Sequence, residues 1–362
     1  KWKDLEETVH TAMMIALAGG ILLIFVGVFF SGPMLSLMGT PDDVLPLAAL
    51  YLKIYFVGMP ATLTYNFGAA ILRAVGDTRR PLYFLLFAGA VNVVLNLVFV
   101  IGFSMGVAGV ATATVVSECI SAVLIVRCLA RSNSAYRLYR EKMHLTESKV
   151  KLIMKIGLPA GFQGAIFSVS NVLIQSSFGS IAMAGSTASA NVEGFVYNAM
   201  NAVYQTALSF TSQNYGAGKM NRVTKILLYC LGLVVMVGAV MGGGAVLIGP
   251  KLLQIYSSDP EVISYGMMRM RIINGSYFLC GIMDTMVGGL RGLGYSVVPM
   301  LVSLTGACLF RVVWIFSVFA MHRTLTTLYI SYPVSWIITF TAHIICYIVI
   351  RKRIAARRKP RD

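Results

Sequence analysis

Long apolar segments separated by short polar breaks run through almost the whole chain of 362 residues. Each segment has about the 20 residues that an α-helix needs to cross a bilayer. Turn-forming pairs such as Gly32-Pro33 and Gly249-Pro250 mark the breaks. The pattern predicts an all-α polytopic membrane protein with ten spans. We place the spans at residues 12–31, 46–72, 82–102, 107–127, 153–178, 186–212, 223–248, 262–290, 297–320 and 326–350.

The composition supports a membrane protein. Hydrophobic residues make up 57% of the chain and charged residues 12%, compared with roughly 25% charged residues in soluble domains. The mean hydropathy is +0.77. The six cysteines show no Cys-x-x-Cys spacing, and no metal-binding or nucleophile motif occurs. We therefore expect no metal, no cofactor and no enzymatic activity.

The net charge of +16 lies mostly in alternate loops. Lysine and arginine cluster in the 127–155 loop and in the tail after residue 350, whereas Asp42, Asp43 and Asp259 lie in the opposite loops. Because cytoplasmic loops are enriched in Lys and Arg, this bias predicts that both termini are cytoplasmic and that the membrane is the plasma membrane. It also argues against a nucleic-acid partner, since no soluble basic domain is present.

One motif occurs twice. Residues 72–81 and 290–299 both read Leu-Arg-x-x-Gly-x-x-x-x-Pro, 218 residues apart, and both lie between two apolar segments. A repeated helix–loop–helix unit indicates two related halves. In an apolar chain, two such halves are typical of transporters, in which a site between similar lobes opens to either side.

The two halves differ in length. Six spans occupy 153–350 but only four precede them, and aligning Lys3 with Lys219 leaves 153–178 and 186–212 without partners. We interpret the chain as lacking its first two helices, so that two pseudo-symmetric, parallel six-helix lobes are expected, the first one truncated to four helices. The predicted units are an N-terminal lobe at 1–131, a cytoplasmic linker at 132–152, a C-terminal lobe at 153–350 and a basic tail at 351–362. In the linker, Thr146 is a predicted N-cap for a short helix.

These residues resemble the multidrug and toxic compound extrusion (MATE) transporters. The resemblance rests on the 6+6 plan, the paired Leu-Arg-x-x-Gly-x-x-x-x-Pro motifs, the segment 213–219 (Gln-Asn-Tyr-Gly-Ala-Gly-Lys), and the segments 157–160 and 281–284. It implies two lobes, a central cavity, and efflux coupled to Na⁺ or H⁺ entry. The acidic site on the first helix of the family's N-terminal lobe has no counterpart here, and the region around Phe167 and Ser168 lacks the glutamate that some members carry.

Ionisable residues inside the spans are candidates for the coupling site, because charges at membrane depth are costly. Asp284 would bind a cation or proton, or make a structural hydrogen bond to a neighbouring helix. Glu193 matches Arg311 in depth, so an ion pair between them is predicted, either structural or functional. Glu118 is a further proton-site candidate; alternatively it lines a cavity wall or pairs within its own lobe.

Amide side chains form stripes that face water or a partner helix, because lipid cannot satisfy them. We interpret them as the lining of a wet cavity, with hydrogen bonds between helices as the alternative. The amide candidates are Asn92, Asn96, Asn171, Gln175, Asn198, Asn201 and Gln205. Arg311 is a basic cavity candidate. Lys53, Arg269 and Arg271 either snorkel to the outer interface or form a basic cavity rim that favours amphipathic or anionic cargo.

The leading hypothesis is a secondary active antiporter that exports small organic or xenobiotic compounds, driven by Na⁺ or H⁺ and working as a monomer in the lipid bilayer. The alternative within transport is a lipid-linked saccharide flippase, for which a more basic cavity is expected. A membrane enzyme would need a catalytic cluster in its loops, and the short loops contain none. A purely structural membrane subunit is the remaining alternative.

Overall fold

The computed structural model describes the backbone of residues 2–37, 40, 42–175 and 180–358, and the side chains of these residues except 169–175, 180, 357 and 358. Every regular element within these ranges is helical, which confirms the all-α prediction. The chain divides into two compact units, residues 1–154 and 155–362.

The first unit contains five helices before the connecting segment. They are α1 (Trp2–Leu37), α2 (Leu45–Val57), α3 (Met59–Ala74), α4 (Arg79–Leu97, continued by a π-helical turn Val98–Gly102) and α5 (Gly106–Ala130). A bend of 49° separates α2 from α3 at Gly58, just before Pro60. This is the kink that a proline inside the second predicted span favours.

The second unit is longer. Its elements are α6 (Glu147–Gln175, which begins in the first unit), α7 (Ser180–Gly216), α8 (Met220–Leu247), α9 (Gly249–Gln254), α10 (Pro260–Ile273), α11 (Phe278–Gly292), α12 (Val297–Ser303), α13 (Phe310–Trp314) and α14 (Leu325–Arg358). A 3₁₀ turn, Asn274–Ser276, joins α10 to α11, and π-helical turns flank α13.

Helical segments lie at all ten predicted span positions. In the described part of the chain, seven of them are long and apolar enough to cross a membrane, and eight if the bent pair α2–α3 counts as one span. The remaining positions are occupied by α7, which is rich in Ser, Thr and Asn, and by the broken pair α10–α11. Helix α4 shows how apolar the outer surface is: Leu85, Leu86 and Phe87 are all more than half exposed. The chain is a multi-pass membrane protein.

The repeated motif has the same backbone conformation in both units. Gly76 and Gly294 have φ values of +91° and +87°, a left-handed conformation that strongly favours glycine. Each ends its helix with the same pair of closing hydrogen bonds. The N–H of the next residue donates to a leucine carbonyl, from Asp77 to Leu72 at 2.9 Å and from Tyr295 to Leu290 at 3.1 Å. The internal repeat inferred from the sequence is therefore present in the local structure.

The segment after α5 is held against α1 within the first unit. The Tyr139 N–H donates to Nε2 of the buried His10 (3.0 Å), and the Thr146 N–H donates to the Thr11 hydroxyl (3.2 Å). The Lys149 ammonium donates to Asp4 (2.6 Å) and lowers the pKa of that carboxyl. A helix starts at Glu147 as expected, but it is continuous with α6. The Thr146 hydroxyl does not cap it, having no hydrogen-bond partner among the described residues.

Helix α11 packs against α7, α8 and α14 in the second unit. Its glycines allow this approach: a Cβ at Gly281 would lie 2.6 Å from Val234 on α8, and a Cβ at Gly292 would lie 2.7 Å from Thr211 on α7. The buried side chains Met283, Met286 and Leu290 extend the core toward α8 and α14. The helix is thereby fixed in position, and so are the polar side chains that it carries.

Candidate functional site

A cavity of about 540 Å³ lies inside the second unit. Side chains from α6, α7, α10, α11, α13 and α14 line it. Its volume falls in the range of about 300–1,000 Å³ that is typical of small-molecule sites.

Helices α7 and α11 supply ten of the 21 lining residues, most of them at helical spacing. Residues three or four apart lie on one face of a helix, so each helix contributes a continuous stripe. The stripes consist of Glu193, Tyr197, Asn201 and Tyr204 on α7, and of Cys280, Asp284, Val287 and Arg291 on α11. The α7 stripe combines a carboxylate, an amide and two tyrosines, and the α11 stripe combines a thiol, an apolar side chain and two charged groups. The wall is thus able to bind a ligand that has both polar and apolar parts.

Glu193 forms a buried ion pair with Arg269, not with Arg311. The Arg269 Nε and Nη2 donate to the two carboxylate oxygens at 2.8 and 2.9 Å. Arg269 also donates to Ser186 (2.9 Å), and the Ser189 hydroxyl donates to Glu193 (3.2 Å). The predicted Glu193–Arg311 pair is therefore wrong. Similar depth made Arg311 a plausible partner, but α10 packs closely against α7 and brings Arg269 to the carboxylate.

Arg311 is surrounded by hydroxyl and aromatic groups. It is 3% exposed, and its Nε donates to the Ser335 hydroxyl at 3.0 Å. Its guanidinium lies 4.0 Å from the centroid of the Tyr332 ring and 5.8 Å from that of Trp336. Both rings belong to α14, four residues apart, so that they face the same way. The described residues place no carboxylate in an ion pair with Arg311.

Arg291, the arginine of the second repeated motif, reaches back into the cavity. Its Nη1 donates to the Tyr204 hydroxyl and its Nη2 to the Gln163 side-chain oxygen, both at 2.8 Å. These bonds connect α11 to α7 and α6. The arginine thus fixes three helices at one end of the cavity.

Asp284 is the remaining charged group of the lining. It lies on α11 between Cys280 and Val287, two turns before Arg291. Among the described side chains none donates a hydrogen bond to its carboxylate or forms an ion pair with it. The repeat partner of this position is Asn66, so the carboxylate is specific to the second unit. A carboxylate with this exposure to a cavity is able to bind a proton or a small cation.

The predicted amide stripes are only partly brought into this cavity. Asn201 lines it, whereas Asn198 is exposed and Gln205 is half-buried outside the lining. The predictions for Asn171 and Gln175 lie outside the residues whose side chains the structure describes. Of the three amides predicted on α7, one therefore lines the cavity.

Other candidates are placed elsewhere. In the first unit, Glu118 is half-buried on α5, Lys53 is exposed on α2, and Asn96 donates to the backbone and side-chain oxygens of Asn92 at 3.0 Å. In the second unit Arg271 is exposed and is absent from the cavity lining. The Asn96 amide nitrogen is therefore satisfied within its own helix, whereas its side-chain oxygen has no hydrogen-bond partner among the described residues.

Several lining residues were not predicted from the sequence. Tyr197 and Tyr204 flank Asn201 at helical spacing on α7, and this spacing was available as a signal. Tyr332 and Trp336 carry the same four-residue spacing on α14. Tyrosine and tryptophan also pack in ordinary cores, and this ambiguity is why the spacing did not single them out.

Comparisons with known proteins agree with the fold. A family model described as MatE matches residues 1–98 and 159–317, well over half of the chain. The backbone is similar to the crystal structure of a mutant of the Vibrio cholerae MATE transporter VcmN, with a TM-score of 0.84 at 18% identity, covering 97% of this chain and 85% of that one.

Curated relatives are similar over most of this chain but are longer themselves. The "Probable multidrug resistance protein YpnP" of Bacillus subtilis (strain 168) is 28% identical over 281 residues, which are 77% of this chain and 63% of the relative. The "FAD transporter" of Shewanella oneidensis is 24% identical over 285 residues, 75% of this chain and 62% of the relative. The chain therefore spans less than two thirds of the length of these relatives.

Proposed function

The chain belongs to the MatE family of membrane transporters, and from this premise we propose that it is a secondary active antiporter exporting small organic compounds. The names of the relatives support export: one is a probable multidrug resistance protein and another a "Multidrug export protein" of Staphylococcus aureus. The cavity supports small-molecule cargo, since it has the volume and the mixed polar and aromatic lining of such sites.

The position of Asp284 in the cavity is the observation that carries the proposal. Its carboxylate lines the cavity without a described partner, whereas Glu193 is occupied by Arg269. A membrane-depth carboxylate facing a cavity is a default candidate for binding the driving ion. We assign the coupling role to Asp284, with Na⁺ or H⁺ as the ion. Glu118, half-buried on α5, is the second candidate, in the first unit.

The proposed setting follows from the distribution of charges. We propose the plasma membrane as its location, and the positive-inside rule applied to the basic loop and tail supports cytoplasmic termini. Cargo would move by alternating access, in which motion of the two lobes opens the site first to one side of the membrane and then to the other. We propose the monomer as the working unit.

Transport in inside-out vesicles tests the proposal. A panel of fluorescent dyes and drugs would be followed under separately imposed Na⁺ and H⁺ gradients, for the wild-type chain and for Asp284→Asn. We expect cargo to move under one of the two gradients, and Asp284→Asn to reduce this movement by at least tenfold, because the amide takes up no proton near neutral pH and has no negative charge to hold Na⁺.

The matched control is Asp259→Asn, an acidic residue outside the cavity that caps α10 through the Glu261 N–H at 2.8 Å. It should retain transport. Cargo transport by well-folded protein that depends on neither gradient would contradict the antiport proposal. An equal loss of transport in Asp284→Asn and Asp259→Asn would contradict it as well.

A further inference from the structure

The charges of the cavity are not balanced. Three guanidinium groups, of Arg269, Arg291 and Arg311, face two carboxylates, of Glu193 and Asp284. One ion pair, Glu193–Arg269, uses a carboxylate and a guanidinium. The remaining carboxylate, Asp284, is not in an ion pair with either remaining arginine among the described residues. The lining thus retains more positive than negative charge.

The two remaining arginines differ in what they contact. Arg291 is tied down by two hydrogen bonds, to Tyr204 and Gln163. Arg311 makes one, from Nε to Ser335, so that its Nη1 and Nη2 have no hydrogen-bond partner among the described residues. A guanidinium presents five donors, and its outer edge matches a carboxylate or phosphate in a two-bond geometry.

Burying the Arg311 guanidinium is costly unless a ligand supplies a counter-charge. Arg311 is 97% removed from solvent and lies at membrane depth on α13. A buried charge without a counter-charge is strongly destabilising, and aromatic rings offset only part of that cost. An anionic group in the cavity would supply the missing counter-charge.

We propose that Arg311 forms an anion subsite in the cavity, and that the preferred cargo carries an acidic group attached to an aromatic or apolar body. The proposal rests on the proposed transport function only in taking this cavity as the cargo site. It adds the substrate class, which the coupling role of Asp284 leaves open.

The aromatic part of the cargo follows from the surroundings of Arg311. Tyr332 and Trp336 pack edge to face with centroids 6.0 Å apart, and Tyr277 lies 5.5 Å from Trp336. All three rings line the cavity beside the guanidinium. An aromatic body would stack in this corner while its acidic group bonds to the free edge of Arg311.

Equilibrium binding to the intact chain in lipid nanodiscs tests this inference without requiring transport. Three probes share one aromatic body and differ in charge: 1-naphthaleneacetate, its methyl ester and 1-naphthylmethylammonium. We expect the carboxylate to bind at least tenfold more tightly than the ester, and the ammonium to bind most weakly. Quenching of tryptophan fluorescence follows binding, since Trp336 lies in the subsite.

Variants test whether Arg311 is the source of the preference for the carboxylate probe. Arg311→Gln should weaken carboxylate binding at least tenfold while leaving ester binding within about twofold. Arg311→Lys should recover only part of the loss, because an ammonium lacks the fork of donors. Arg271→Gln, which removes an exposed arginine of the same unit outside the cavity, should bind all three probes as the wild type does.

Equal binding of carboxylate and ester by the wild type, or tighter binding of the ammonium, would overturn the proposal even if every variant failed to fold. Carboxylate binding unchanged in folded Arg311→Gln would overturn it too. The antiport proposal fails in a different experiment, through absence of gradient-driven transport, so the two failures are distinguishable.

Discussion

Buried charges in the second unit have different roles according to the groups that they face. Glu193 and Arg269 satisfy each other with two hydrogen bonds, whereas Asp284 and Arg311 line the cavity without an ion pair among the described residues. The paired groups hold α7 against α10, and the unpaired ones are available to ligands. Within one cavity, hydrogen bonding therefore distinguishes structural charges from functional candidates.

Removing one member of the pair should destabilise the fold. Glu193→Gln leaves Arg269 buried and uncompensated, a change that typically costs about 3–5 kcal/mol. We expect a clear fall in unfolding temperature, measured by the heat-induced exposure of the buried cysteines Cys230, Cys280 and Cys308 to a thiol-reactive dye.

The double variant Glu193→Met/Arg269→Met is the control for this prediction. Replacing both charges with apolar groups of similar size should restore most of the lost stability. If the single and double variants melt alike, the pair does not contribute in the way that its geometry implies.

At the scale of helices, close approach depends on a few glycines. Gly185 on α7 faces the backbone of α10, where an added Cβ would lie 2.5 Å from the Val262 carbonyl oxygen and 2.8 Å from the Gly266 nitrogen. Gly194 lies on the same helix, and a Cβ there would meet nothing within 4 Å. Backbone atoms cannot move aside for an added Cβ as the end of a flexible side chain can.

Alanine at these two glycines should therefore have opposite effects. Gly185→Ala should force α7 and α10 apart and destabilise by about 1–3 kcal/mol. Gly194→Ala should stabilise by up to about 1 kcal/mol, because alanine favours a helix. The two melting temperatures, measured in the same detergent, check the prediction; equal shifts would contradict the close packing.

The connecting segment gives a second prediction for an element. Backbone N–H groups only donate, so Nε2 of His10 accepts from Tyr139 and Nδ1 carries the proton that bonds to the Glu6 carbonyl, 2.7 Å away. His10→Leu removes that acceptor and leaves a part-buried N–H unsatisfied, which costs about 1–3 kcal/mol locally.

Limited trypsin digestion should detect the loosened segment. Cleavage after Arg137, Arg140 and Lys142 should be faster in His10→Leu than in the wild type. His144→Leu, which changes an exposed histidine of the same segment, should be cleaved at the wild-type rate. Faster cleavage in both variants would show that the His10 contact does not hold the segment.

The elements of the fold were more predictable than the contacts of the site. Apolar length fixed the spans, and the paired Gly76 and Gly294 identified the repeat, because each feature is local in sequence. The choice of Arg269 over Arg311 as partner of Glu193 was not local. Sequence spacing gives the depth of a residue along its helix, but packing decides which helix faces it.

The whole molecule combines a repeated scaffold with one feature that the repeat does not share. Both units carry the same glycine turn after a broken helix pair. The described cavity with its carboxylate, by contrast, belongs to the second unit, where Asp284 replaces the Asn66 of the first. This asymmetry is the structural basis for assigning ion coupling to the second unit.

Ion movement elicited by cargo tests that assignment most directly. Proteoliposomes would contain a pH-sensitive or Na⁺-sensitive dye, and a transported compound would be added with no ion gradient imposed. The antiport account predicts that cargo entry drives one of the two ions outward in the wild type, with no ion signal in Asp284→Asn. Cargo entry without movement of either ion, or an unchanged ion signal in Asp284→Asn, would contradict it.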